Sequence, residues 1–250
     1  MSCRPSGRSS NTALWTDSGR ALGQPTLERI ARMGRMNAWM FHEIAPYIGR
    51  RVLEVGSGIG TFSQELTNRD ALVCLDIEAS YVADLAARFE HFPHARCLLL
   101  DASSPEILSL RSYIHDTIIC LNVLEHIQDD LLTLRHFFQL LSPGGRLILL
   151  VPAHPFLYSS LDKAISHFRR YSRSDLVEKL HQTGFRIQRL FAINLFGVLG
   201  WFLNGKVLRR TLLPEGQLGL YESFVPAFRV AEALLGRRVG LSWIAIAEVP

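Results

Sequence analysis

The feature that most constrains the fold is a regular alternation of short apolar segments with segments of helical or turn-forming character. It begins at Arg51 and continues to Val151. Parallel strands buried on both faces are apolar nearly throughout, and right-handed crossover helices connect them. The chain is therefore predicted to be an α/β protein with a doubly wound sheet. The predicted strands are residues 51–55, 71–75, 95–100, 117–121 and 146–151.

Helical periodicity and turn residues complete this pattern. Thr26 is a predicted N-cap for a helix over residues 26–46, in which apolar side chains recur at helical spacing. A turn is predicted over residues 142–145, where Pro143 precedes a pair of glycines. The other helices are predicted at residues 60–68, 80–89, 105–112, 129–141 and 174–183.

The two ends of the chain depart from the alternation. Residues 1–25 are polar and without periodicity, which predicts a disordered tail, so residues 26–250 form the predicted domain. Strands are predicted over residues 185–192 and 239–248. Between them, residues 194–236 form a predicted apolar, mostly helical insertion. This insertion is interpreted as a lid over an apolar substrate, a dimer surface or extra packing against the sheet.

Composition narrows the class of protein. The 250 residues include 48% apolar and 20% charged side chains, as in an ordinary globular domain. The net charge is +4, but Lys and Arg form short, separated clusters rather than a stripe, so nucleic acid is not predicted as a partner. No apolar run reaches the roughly 20 residues of a membrane span, and no signal-like segment is recognisable. A cytoplasmic location is therefore predicted.

A glycine-rich turn follows the first predicted strand. Gly56, Gly58 and Gly60 alternate with other residues, and Glu54 precedes them. Glycine lets a backbone turn tightly and approach a ligand closely. The dinucleotide fingerprint is G-x-G-x-x-G, so the third glycine comes one residue early, and a carboxylate before the turn suits an ammonium group better than a phosphate. By itself, such a turn is also typical of a simple strand-to-helix connection.

Polar side chains follow the next predicted strands. Asp76 ends the second strand, where a carboxylate can accept hydrogen bonds from both ribose hydroxyls, and Ile77 can lie against an adenine face. Asp101 and Ala102 follow the third strand, where a carboxylate can accept from the adenine amine, and Asn122 follows the fourth. Taken singly, each aspartate is also a typical helix cap. Together they occupy the edge at which doubly wound sheets bind ligands.

These motifs resemble those of the class I S-adenosylmethionine-dependent methyltransferases. The resemblance rests on V-L-E-V-G-S-G-I-G-T-F-S from Val52, D-x-x-x-C-L-N-V-L-E-H from Asp116 and L-S-P-G-G-R-L from Leu141. The family implies a Rossmann-like sheet of seven strands, mostly parallel, whose last strand is antiparallel and inserted beside the fifth. It also implies S-adenosylmethionine as the cofactor. The positions so assigned are Glu54, Gly56 and Gly58 for the methionine part with Ser57 in the same turn, Asp76 for the ribose, Ile77, Asp101 and Ala102 for the adenine, and Asn122 beside the sulfonium.

The chemistry of methyl transfer indicates what the substrate side needs. The reaction is an in-line displacement at a sulfonium methyl with a neutral leaving group, so the protein must align donor and acceptor, and needs a base where the acceptor is a hydroxyl. The run from Asp162 to Ser172 resembles D-x-x-x-x-H-x-R-R-Y-S of a bacterial subgroup associated with polysaccharide, glycolipid and secondary-metabolite pathways. His167, oriented by Asp162, is the predicted base, and His126 is a second candidate. The predicted substrate-binding residues are His154, Tyr158, Arg169, Arg170 and Tyr171.

Structural interpretations of these side chains stay open. The pair Asp162 and His167 can also be a hydrogen-bond network that holds a loop, and the arginines can form salt bridges. No metal site is predicted, because the histidines lack ligand spacing such as H-x-x-x-H and the cysteines are not paired.

The sequence therefore predicts a methyltransferase acting on a small molecule, on oxygen rather than nitrogen or carbon. The expected acceptor is a secondary metabolite, a glycolipid or a sugar-derived intermediate. The apolar insertion also allows contact with a membrane surface or a lipid-like substrate, or a homodimer. The alternative is a protein of this fold without methyl transfer, such as a polyketide cyclase or a binding partner. An oxidoreductase that binds NAD or a nucleotide sugar is disfavoured by the early third glycine.

Overall fold

The computed structural model describes residues 25, 28–29 and 31–250. The predicted tail, apart from Pro25, and the predicted cap Thr26 lie outside these residues. Among the residues described, no helix is both long and apolar enough to cross a membrane.

A seven-stranded sheet forms the centre of the protein, with strand order β3-β2-β1-β4-β5-β7-β6. The first five strands run parallel to one another, and β7 lies antiparallel between β5 and β6. The predicted α/β fold is thereby confirmed, including the antiparallel last strand beside the fifth. The strands are β1 Arg51–Val55, β2 Ala71–Asp76, β3 Ala95–Leu99, β4 His115–Leu121, β5 Leu141–Pro152, β6 Arg186–Ile193 and β7 Ser242–Glu248.

Helices cover both faces of the sheet and surround its carboxyl edge. Side-chain caps begin several of them, among them the helix after Asp129, whose Oδ1 accepts from Leu132 N–H at 2.9 Å, and the helix after Ser172, whose Oγ accepts from Asp175 N–H at 3.0 Å. Shorter 3₁₀ turns include Ser63–Leu66, Pro105–Tyr113 and Leu124–His126, and a π-helix spans Phe202–Val207. The α-helices are α1 Gly34–Ile44, α2 Ala79–Arg88, α3 Asp130–Leu140, α4 Ser160–Ala164, α5 Arg173–Gln182, α6 Leu195–Trp201 and α7 Glu215–Leu234.

Apolar side chains form one core on each face of the sheet. Phe137 of α3 and Leu180 of α5 pack on one face, and Trp39 of α1 and Leu85 of α2 pack on the other. All are nearly or fully buried. Each side chain of this size contributes about 1.5–3 kcal/mol by leaving water, so the two cores fix the strand ends that form the site.

The predicted helix over residues 26–46 is wrong in one respect, because the chain leaves the helical path at Met33 and α1 begins at Gly34. Tertiary contact supplies the physical reason. The carboxylate of Glu222, on α7, accepts the N–H groups of Arg35 and Met36 at 2.9 Å each. Both N–H groups belong to the first turn of α1, where they have no partner within the helix. The N-cap residue, Met33, makes no side-chain hydrogen bond to them, so Glu222 caps the helix instead.

Two further local predictions are wrong. Residues 60–68 hold only the 3₁₀ turn Ser63–Leu66, because Gly60 has a positive φ of 81° that is incompatible with the start of a right-handed helix. The predicted turn over residues 142–145 lies inside β5. Gly144 N–H donates to Val249 O, and Val249 N–H donates to Gly145 O, at 2.9 Å each, so the end of the chain extends the ladder there.

Candidate functional site

A cavity of about 1380 Å³ opens at the carboxyl ends of the first strands. The glycine turn after β1, the ends of β2 and β3 and the loop after β4 all contribute to its wall. All the positions predicted to bind the cofactor line this cavity. They are Glu54, Gly56, Ser57, Gly58, Asp76, Ile77, Asp101, Ala102 and Asn122.

The glycine turn has a backbone that needs glycine. Gly56 and Gly58 have positive φ values of 72° and 52°. Gly56 N–H and Ser57 N–H both donate to Leu75 O, at 2.8 and 2.9 Å, which fixes the turn to the end of β2. A Cβ atom on Gly56 would lie 2.2 Å from Val123 Cγ2. The turn therefore packs against the loop after β4, leaving no space for a side chain at position 56.

Glu54 presents a buried carboxylate to the cavity. It accepts a hydrogen bond from Ser63 Oγ at 2.5 Å, and its residue is 5% exposed. Burial raises the pKa of Glu54 to about 7, against the lowering effect of Ser63. A buried carboxylate of this kind is well suited to pairing with a ligand's ammonium group.

Asp76 links the end of β2 to the glycine turn. Its Oδ2 accepts from Gly58 N–H at 2.7 Å, and its Oδ1 accepts from Glu78 N–H at 2.9 Å. Burial raises the pKa of this carboxyl, and the backbone hydrogen bonds oppose the rise. Each oxygen retains acceptor capacity for a ribose hydroxyl. Beside it, Ile77 is 46% exposed and offers an apolar surface for a flat ring.

Asp162 is the centre of a buried polar cluster beside the cavity. Its Oδ1 lies 3.1 Å from His167 Nδ1 and accepts from Arg170 Nε at 2.7 Å. Its Oδ2 accepts from Ser159 N–H at 2.9 Å and from Trp201 Nε1–H at 3.1 Å. Burial would raise the pKa of Asp162, but His167 and Arg170 outweigh burial and hold it below the usual range. The carboxylate is therefore an anion that orients His167.

Glu125, His126 and His167 form a second group next to Asp162. Glu125 is fully buried, and its Oε1 lies 3.7 Å from His167 Nε2. The ring of His126 meets that of His167 edge to face, with centroids 4.6 Å apart. Burial raises the pKa of Glu125 to about 7 and lowers that of His126 to about 3. Sequence spacing did not point to Glu125, because its neighbour His167 is far away along the chain.

Of the five predicted substrate-binding residues, Arg170 lines the cavity, as do the two predicted bases, His167 and His126. The other four support the surrounding loops. Tyr158 O–H donates to His167 O at 2.7 Å, Arg169 pairs with Asp130 at 2.8 Å, Tyr171 O–H donates to Asp130 Oδ2 at 2.9 Å, and the ring of His154 lies 5.6 Å from that of Trp243.

Apolar side chains of α1 and of the insertion form a further part of the cavity wall. Met36 and Met40 come from α1, and Trp201 comes from the insertion. Only tertiary packing brings these distant segments together, although the apolar residues of the insertion suggested a lid. Further lining residues of the insertion include Asn204, Leu212, Leu213, Leu218 and Tyr221.

Residues 26–190 match the family model of the methyltransferase domain. This chain belongs to that family. Among curated proteins it is 27% identical over 148 residues to a probable polyketide synthase of Dictyostelium discoideum, and 32% identical over 112 residues to a tRNA U34 carboxymethyltransferase of Syntrophotalea carbinolica. The matches take in 50% and 42% of this chain but only 5% and 33% of those relatives.

Solved structures show the same fold. An S-adenosylmethionine-dependent methyltransferase from Mesorhizobium loti aligns with a TM-score of 0.57 at 13% identity, over 84% of this chain and 95% of that one. The predicted cofactor, S-adenosylmethionine, is confirmed at the level of the family. The residues present fit this cofactor. The buried carboxylate of Glu54 suits its ammonium group, and the acceptor capacity left on Asp76 suits its ribose hydroxyls. The positive-φ glycines let the backbone approach the ligand closely.

Proposed function

We propose that this protein transfers the methyl group of S-adenosylmethionine to a hydroxyl oxygen of a small molecule. The proposal rests on one observation: the glycine turn, Asp76 and His167 all line the same cavity. A donor held by the turn and an acceptor held near His167 would share that space. Alignment of the two reactants is the main requirement of the displacement.

We assign the residues on the cofactor side of the cavity to parts of S-adenosylmethionine by the chemistry of their side chains. Glu54 pairs with the ammonium group of the methionine part, and Asp76 accepts from the ribose hydroxyls. Asp101 and Ala102 contact the adenine, and Asn122 lies beside the sulfonium. Bound in this way, the cofactor supplies an electrophilic methyl group.

The acceptor side favours a neutral hydroxyl over a carboxylate or phosphate. Arg170 is 4% exposed and already bound to Asp162, and Arg169 is bound to Asp130. Neither guanidinium offers an unpaired charge to an anionic acceptor. His167 and His126 instead line the cavity with imidazole side chains. We assign to this pair the activation of the acceptor oxygen, with Asp162 as the residue that positions His167.

The remaining wall supports an acceptor with an apolar part. Met36, Met40, Trp201 and Leu218 line it, and we propose that the insertion acts as a lid over the bound acceptor. A glycolipid or an apolar secondary metabolite combines a hydroxyl with such a part, so these are the preferred acceptors. Contact of the insertion with a membrane surface or a second copy of the chain stays a prediction. 

The test is turnover with labelled S-adenosylmethionine and a panel of hydroxylated amphiphiles, with matched amine and carbon acceptors. Formation of S-adenosylhomocysteine together with an O-methylated product is expected. Gly58→Val should abolish cofactor binding, because a β-branched residue resists a φ of 52° and Gly58 N–H contacts Asp76. The control Gly216→Val, in open space on α7, should bind normally.

Two outcomes contradict the proposal in different ways. Tight cofactor binding without turnover of any acceptor would favour a protein of this fold that does not transfer methyl groups. If the Gly58→Val variant binds the cofactor as tightly as the wild type, the glycine turn is not part of the cofactor site.

A further inference from the structure

We propose that Glu125, His126 and His167 bind a divalent transition-metal ion of the Zn²⁺ type beside the acceptor end of the cavity. Each residue offers one ligand atom, and these atoms all lie within 4.8 Å of one another. One carboxylate and two imidazoles are a donor set typical of zinc and of non-haem iron(II). The role suggested for the ion rests on the proposed function, whereas the site itself does not.

The environment of Glu125 gives the first argument. The residue is fully buried, and neither carboxylate oxygen accepts a hydrogen bond from any other residue that the structure describes. The Oε1 atom of Glu125 lies 3.7 Å from His167 Nε2, which is beyond hydrogen-bond distance. A buried carboxylate without partners is costly, and such groups in native proteins are usually paired or coordinate a metal. A cation between Glu125 and His167 would satisfy it.

The orientation of His167 gives the second argument. Its Nδ1 faces Asp162 Oδ1 at 3.1 Å, and Asp162 is an anion because Arg170 also binds it. The proton of a neutral imidazole therefore belongs on Nδ1, which leaves a lone pair on Nε2, the nitrogen nearest Glu125. A carboxylate that fixes the far nitrogen of a ligating histidine is the usual support of a metal ligand.

The position of the group gives the third argument. Glu125 and His126 are adjacent on the 3₁₀ turn Leu124–His126, and both histidines line the cavity. Ligand atoms around zinc at about 2.1 Å lie about 3.4 Å apart, so side-chain rotation must contract this group by roughly an ångström. Three protein ligands would leave one coordination position, on the cavity side, for an exogenous oxygen.

An ion in this place would explain how the acceptor is activated. A hydroxyl oxygen in the open position would have a lowered pKa and would lose its proton to water. The oxyanion so formed would attack the methyl carbon of the cofactor, with the new C–O bond forming as the C–S electron pair stays on the neutral thioether. His167 then acts as a ligand rather than as a base.

The test measures metal binding directly and does not depend on turnover. Chelator-treated protein is titrated with Co²⁺, whose visible absorption reports a low-coordinate site with nitrogen and oxygen ligands, and Zn²⁺ is used in competition. One ion per chain is expected. Glu125→Gln and His126→Asn should each weaken binding by about 100-fold or more. Glu106→Gln and His181→Asn, both on exposed side chains, are the matched controls and should bind as the wild type does.

Cofactor binding by the metal-free proteins shows that each variant is folded. Absence of Co²⁺ binding at micromolar concentration in protein that binds S-adenosylmethionine would overturn the metal site and leave the proposed function standing. A Co²⁺ spectrum unchanged by Glu125→Gln and His126→Asn would overturn the ligand assignment. Metal binding with the expected dependence, but without turnover of any acceptor, would support the site and count against methyl transfer.

Discussion

The indole nitrogen of Trp201 donates to Asp162 Oδ2 across 3.1 Å, which joins the insertion to the buried cluster at the acceptor side of the cavity. The guanidinium of Arg170 lies 4.6 Å from the centre of the Trp201 ring and binds the other oxygen of Asp162. The same tryptophan therefore contacts both members of a buried ion pair. Asp162 also contacts His167 Nδ1 at 3.1 Å, so Trp201 of the insertion and the predicted base share one carboxylate.

The first prediction concerns this contact. Trp201→Phe keeps an aromatic ring over Arg170 but removes the donor to Asp162. Because hydrogen bonds to charged groups stabilise by about 1.5–3 kcal/mol, we expect turnover to fall on the order of tenfold as His167 loses its fixed orientation. Affinity for S-adenosylmethionine, measured by calorimetry, should stay unchanged. The control Trp39→Phe also removes an indole hydrogen bond, to Glu43 at 3.1 Å, but Trp39 packs in the core and does not line the cavity, so this variant should preserve turnover.

The second prediction concerns the stability of the buried ion pair. Asp162→Ala leaves the guanidinium of Arg170, which is 4% exposed, without its counter-charge. Loss of one partner of a buried pair typically costs about 3–5 kcal/mol. Chemical denaturation should show a decrease of this size in the free energy of unfolding. The exposed Asp84→Ala should change it little, and equal stability of the two variants would show that the pair contributes nothing.

The sheet could be predicted from the sequence because its signals are local. Apolar runs, glycines and the aspartate at the end of β2 all lie within a few residues of the structure they specify. The Glu125 and His167 group escaped prediction because its members come from separate loops, and spacing rules detect only ligands near one another in the chain. Arg169 and Tyr171 looked like substrate ligands for the same reason, since their partner Asp130 is about 40 residues away.

The third prediction concerns the glycine turn. Gly56→Ala should lower both thermal stability and cofactor affinity, because the new Cβ would lie 2.2 Å from Val123 Cγ2 at a φ of 72°. Val123→Ala removes the clashing atom, so the double variant should recover part of the loss. The remainder measures the strain of a positive φ at alanine, about 1 kcal/mol. A double variant no better than Gly56→Ala would show that Val123 is not the obstacle.

The last prediction concerns pH and Glu54. Burial raises the pKa of this carboxyl to about 7, so it becomes an anion as the pH rises through 7. Only the anion attracts the ammonium group of the cofactor, and an α-amino group loses its own charge near pH 8. Affinity should therefore peak between pH 7 and 8 and fall by up to about tenfold for each pH unit below 7.

Calorimetric titration of S-adenosylmethionine from pH 5.5 to pH 8 measures this profile. Glu54→Gln should bind weakly at every pH and lose the dependence below pH 7, because an amide cannot gain or lose the charge. The exposed Glu65→Gln should keep the wild-type profile. A flat wild-type profile would show that Glu54 does not titrate in this range, and an affinity that Glu54→Gln leaves unchanged would remove Glu54 from the cofactor site as assigned.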